Sequence, residues 1–173
     1  MKAENLMKRV VLFLFLITIF SQLTYATASG RTGTTLLSGG SGCSCHGGGG
    51  TSANATVTAT IWGPTTISPG QTAIYTLTVS GGTGTGGGCN IAADAGTLAP
   101  LSSYLKLSGT ELTQTATTGF TNGSVTYRFT LKAPATEGTV NLYATGLSSA
   151  RSESTGLFNF APTYPVTVVL PTA

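Results

Sequence analysis

The run Cys43-Ser44-Cys45-His46 gathers two of the three cysteines and the single histidine of this 173-residue sequence. Two thiols beside an imidazole support three chemistries. In c-type haem attachment the usual signature is Cys-x-x-Cys-His, in which two thiols reach the two vinyl groups and the adjacent histidine gives iron its proximal nitrogen. Here one spacer residue is missing, so Cys45 and His46 keep a thioether next to a proximal ligand while Cys43 is too close in sequence to reach the second vinyl without strain, and the match is partial. In an oxidising compartment, by contrast, cysteines pair as disulfides. A bridge from Cys43 to Cys89 would tie this segment to the rest of the chain and leave Cys45 for haem or for a partner. A third arrangement gathers Cys43, Cys45, His46 and Cys89 as a Cys₃His site for zinc or copper(I). All three readings stand at the level of sequence.

Hydrolytic or transfer chemistry is not expected. A Ser-His-Asp or Cys-His hydrolase would have to run on His46, which has no carboxylate near it in sequence. Asp94 and Glu111 form no paired-carboxylate pattern and read as turn or surface residues. The glycines around the cluster, Gly39-Gly40 and 47–50, leave the backbone thin, which suits either close approach of a large flat group or a plain flexible linker.

The elements that must position the cluster follow from patterning. Lys2, Lys8 and Arg9, the apolar run 10–20 and the small residues Ala26 and Ala28 make a cleavable secretory signal, too short in its apolar part for a spanning helix. Cleavage is expected after Ala28, which places the protein outside the cytoplasm with no membrane span. Beyond that point five basic and four acidic residues leave a net charge of +1. These charges are scattered, so nucleic acid is excluded as a partner. A surface this poor in charge repels copies of itself weakly, which favours self-association or contact with other surface proteins.

Residues 29–54 are Gly, Ser and Thr with little apolar content beyond Leu36 and Leu37, and read as an unpacked arm. From residue 55 to 173 alternation of period two takes over. Val57, Ala59 and Ile61 alternate with threonines, Tyr75, Leu77 and Val79 form a second set, and Val125, Tyr127, Phe129 and Leu131 a third. Further strands are expected over 89–93, 104–107, 112–116, 140–144 and 166–170. Trp62 reads as core or, beside Gly63-Pro64, as an edge residue. About seven short strands broken by Gly and Pro predict an all-β, immunoglobulin-like antiparallel sandwich preceded by a Gly-rich arm.

The ordered motifs 42–47 (Gly-Cys-Ser-Cys-His-Gly), 63–66 (Gly-Pro-Thr-Thr), 68–71 (Ser-Pro-Gly-Gln), 92–98 (Ala-Ala-Asp-Ala-Gly-Thr-Leu) and Ala133-Pro134 resemble the choice-of-anchor V domain family. These are bacterial surface domains similar to the reelin-type sandwich. The resemblance implies an exported, cell-surface sandwich with a Cys-His motif in front of it. The composite expectation is a secreted haem c protein for electron transfer, or a structural surface or filament subunit with bridged cysteines. Both methionines, Met1 and Met7, lie in the signal and His46 is the lone histidine, so a second axial ligand of the ordinary kind is missing from the mature chain.

The exported protein is expected to begin at Ser29 or within a few residues of it. N-terminal sequencing checks this, and retention of residues 1–20 would refute export.

Overall fold

The computed structural model describes residues 30–40, 42, 53–150 and 156–171. Where apolar and hydroxyl side chains alternate, a strand with one dry and one wet face follows. Among the described residues there are twelve: β1 Val57–Trp62, β2 Thr66–Ile67, β3 Thr72–Gly81, β4 Gly86–Ala93, β5 Thr97–Pro100, β6 Leu105–Ser108, β7 Glu111–Gln114, β8 Thr118–Gly119, β9 Ser124–Lys132, β10 Gly138–Ser149, β11 Gly156–Phe160 and β12 Tyr164–Val168.

They form two sheets. The first has the order β1-β3-β9-β5; the second runs β2-β12-β10-β4-β7-β6, with β11 also on β10 and β8 also on β4. Packed face to face, they make a β-sandwich. Tyr75, Leu77, Val79, Tyr127, Phe129 and Leu131 from the first sheet are fully buried, as are Ile91, Leu112, Leu142 and Val166 from the second. Tyr75 and Phe129 stack with ring centroids 5.8 Å apart, an arrangement the quadrupoles of aromatic rings favour.

Two features differ from the sequence expectation, and one open alternative is resolved. The strands exceed seven because short pairs such as β2, β5, β8 and β11 lack enough residues to display an alternation. The sandwich is not wholly antiparallel, since β2 pairs parallel with β12, Thr66 opposite Thr167 and Ile67 opposite Val168. Trp62 takes the edge alternative, at the end of edge strand β1 and 67% exposed. The Gly63-Pro64 break has a packing cause: a Cβ on Gly63 would stand 2.2 Å from the Tyr75 ring, and the Tyr75 hydroxyl donates to the Pro64 carbonyl at 3.0 Å.

The sheets approach each other closely at Gly146. A Cβ on Gly146 of β10 would lie 2.8 Å from Val79 Cγ2 and 2.9 Å from the Ala59 Cβ, both on the opposite sheet. Gly146→Val is therefore expected to lower stability by about 1–3 kcal/mol through overpacking. Urea unfolding checks this, and an unchanged midpoint would refute so close an approach.

Candidate functional site

Cys43, Cys45 and His46 lie outside the described residues, whereas the backbone on either side of them does not. Gly42 has a left-handed φ of 59°, and a Cβ there would fall 2.2 Å from the Phe158 ring. Only glycine fits so tight a contact. On the far side, the Asn54 amide donates to the Phe158 carbonyl at 2.7 Å. Both flanks of the cysteine-bearing segment therefore meet one residue of β11. Phe158 in turn packs edge-on against Phe160, centroids 5.6 Å apart, and Phe160 lies near Gly40 and Leu36.

The preceding stretch corrects the expectation of an unpacked arm: residues 30–40 are held on the outer face of the second sheet. Alternation along β4 turns Cys89 and Ile91 into the core and Asn90 to the opposite face. There the Asn90 carboxamide oxygen accepts from both the amide and the hydroxyl of Thr34, each at 3.0 Å. Its nitrogen donates to Glu111 Oε2 at 2.8 Å and to the Leu112 carbonyl at 3.2 Å. Glu111 Oε2 also accepts from the Gly33 amide at 2.8 Å, and the Thr145 hydroxyl donates to the Thr34 carbonyl at 2.8 Å. Thr34 thus has its amide, carbonyl and hydroxyl all bonded, after which a short 3₁₀ turn, Leu36–Ser38, carries the chain toward Gly42. Polar bonds to a carboxylate and a carboxamide replace the apolar burial whose scarcity predicts disorder.

This clasp was not legible as a site. Asn90 reads as one polar residue inside an apolar strand, and Glu111 as a surface acid. The signal, in retrospect, is a carboxamide at a strand position whose neighbours on both sides are core. The other acid, Asp94, is a turn residue as expected, accepting from the Asn141 amide and side chain, both at 2.8 Å.

Cys89 is buried among the core side chains, its amide donating to Gln114 Oε1 at 2.8 Å and its carbonyl accepting from the Thr113 hydroxyl at 2.9 Å. Its bridge to Cys43 and the Cys₃His arrangement both depend on residues outside those described. Among the described residues no three His, Cys, Asp or Glu side chains come together as a metal group. Burial pushes the Tyr127 phenol up, helped by the nearby Cys89 thiol, so this hydroxyl stays neutral. Burial and then Tyr164 push Tyr75 up to about 12.

Asn90→Ala removes four hydrogen bonds and leaves Glu111 short of a donor. It is expected to cost about 1–3 kcal/mol and to open residues 30–40 to protease. Limited proteolysis with mass mapping checks this, and cleavage at the wild-type rate would refute the clasp.

No family model matches the sequence, and no curated protein matches it. Among solved structures, the chain is similar to the CARDB domain of the PF1109 protein from Pyrococcus furiosus, solved in complex with di-metal ions. That likeness has 22% identity and a TM-score of 0.44, over 66% of this chain and 94% of that one. A family 123 glycoside hydrolase from Clostridium perfringens is similar at 9% identity and a TM-score of 0.35, over 68% of this chain and 28% of the hydrolase.

Proposed function

We propose that the protein is an exported, cell-surface β-sandwich that carries one covalent haem c for electron transfer. In this reading Cys45 would hold the haem through a thioether and His46 would supply its proximal nitrogen. The observation that supports it is the anchoring of both flanks at Phe158, by the Gly42 contact and the Asn54 hydrogen bond. A linker has no need of two anchors on one aromatic residue, whereas a group that exchanges electrons must be held at a fixed place on the fold. The donor set fits as well: a thiol and an imidazole on adjacent residues are the minimum for covalent attachment and axial ligation.

Bound there, haem would supply one-electron chemistry, and the chain supplies attachment, one axial nitrogen and position. With a single histidine in the sequence, the haem would be held by His46 alone, or together with a weaker donor such as a lysine, a tyrosine, the new terminal amine or a group from another molecule. No catalytic residue is assigned. Among the described residues no helix is long and apolar enough to cross a membrane.

A structural subunit without haem is the second reading, favoured by the edge strand β6, where Leu107 stands 49% exposed. The outer edge of such a strand, with an apolar side chain on it, is a template for pairing with a second copy or with another surface protein.

A reduced-minus-oxidised optical spectrum of the exported protein is expected to have the sharp bands of c-type haem, and intact mass to rise by one haem. Cys45→Ser should abolish attachment, and His46→Ala should change the spin state of whatever haem remains. Absence of any haem band would overturn the reading. Zinc or copper in metal analysis of that haem-free protein would replace it with the Cys/His metal site.

A further inference from the structure

The outer face of the first sheet lies on the side of the sandwich away from the clasp. Its solvent-facing positions are dominated by hydroxyls, among them Thr58, Thr60, Thr76, Thr78, Thr126 and Thr130. Register sets these in ranks across the strands. Thr60, Thr78 and Thr126 stand side by side, the last two with their hydroxyls 3.3 Å apart. In the adjoining rank, Trp62 on β1, Thr76 on β3 and Arg128 on β9 are aligned.

That rank departs from its surroundings in two ways. Trp62 is 67% exposed, with Ile74, 50% exposed, diagonal to it across β1 and β3. The indole and Ile74 together make an apolar step on an otherwise hydroxyl-rich face. Arg128 is also exposed, and none of the solvent-facing positions of β1, β3, β5 and β9 is Asp or Glu. Among the described strand positions of this face the charges are Arg128 and Lys132, both positive and on one strand.

We infer that the rank Trp62-Thr76-Arg128 is a binding site for an acidic glycan, a saccharide bearing carboxylate or sulfate. The Cα atoms of Trp62 and Arg128 are two strand spacings apart, about 10 Å. Both side chains are long and the residue between them is small. A sugar ring laid on the indole therefore has its anionic substituent within reach of the guanidinium. The indole face covers the C–H side of the ring, where water gains least. The guanidinium fork matches a carboxylate or sulfate with two parallel hydrogen bonds. Thr76 and its threonine neighbours offer hydroxyls that both donate and accept, which suits the ring hydroxyls. A nucleic acid would ask for clustered cations, and a second copy of this chain would bring the same two positive charges against themselves.

Affinity electrophoresis of the exported protein tests this with polygalacturonate, dextran sulfate and neutral dextran as probes. Retardation is expected from one or both of the anionic polymers and not from neutral dextran, falling as ionic strength rises. Which anionic polymer acts distinguishes carboxylate from sulfate. Trp62→Ala and Arg128→Gln should each weaken binding about tenfold and leave the thermal midpoint unchanged, because both side chains are exposed. Leu170→Ser, an exposed apolar residue beyond β12, should leave binding intact. Retardation by neutral dextran alone, retardation that survives both substitutions, or no retardation at all would overturn the inference. So would a dimer in sedimentation that Trp62→Ala dissolves.

Discussion

Asn90 occupies a strand with no wet face. The core lies on one side of β4, and residues 30–40 lie on the other. A carboxamide buried in that position has to satisfy both its donor and its acceptor, and an unpaired one costs more than a made bond returns. Thr34, Glu111 and the Leu112 carbonyl between them do so. Much of the rest depends on that requirement. The clasp holds the leading segment to the sheet, and the segment in turn covers Asn90 and Thr145 and leads toward Gly42 against Phe158, while Gln114 stands over Gly88 of the same strand. The sandwich is accordingly closed on its clasp side by a piece of chain that is not itself a strand.

The strands that the sequence reveals are those that alternate. Val57 to Ile61, Tyr75 to Val79 and Val125 to Leu131 each bury every second residue, and the structure keeps all of them on the core face. What alternation cannot reveal is a strand covered on both sides. The glycines of β4, at 86–88, precede the strand expected over 89–93, yet they are strand residues paired with β10. Their smallness is required there: a Cβ on Gly87 would meet Val125 at 2.6 Å, and one on Gly88 would meet Gln114 at 2.7 Å. Glycine chosen for lack of volume and glycine chosen for freedom look alike in a sequence.

The clasp was illegible for a related reason. Thr34, Asn90, Glu111 and Thr145 are spread over 111 positions, and each alone is an ordinary hydroxyl, amide or acid. Composition counts apolar residues as the means of ordering a segment, and by that count residues 29–54 fall short. Hydrogen bonding to buried side chains orders 30–40 by a means that composition does not register. The Cys-x-Cys-His cluster, by contrast, was legible as chemistry from its residue types. Only the placement of its neighbours, Gly42 and Asn54 on Phe158, needed coordinates.

The clasp also dictates an order of assembly. Asn90, Glu111 and Thr145 become neighbours only after β4 has paired with both β7 and β10, and Thr34 can be gripped only once they have. The contact between residues 34 and 145 closes one of the longest loops in the chain, and contacts of that separation form late. Although the leading segment is made first, its docking waits on the sheet. The strands are therefore paired while Gly42 and Asn54 are still unpinned from Phe158, so the flanks of the cysteine-bearing segment are among the last parts of the chain to be held.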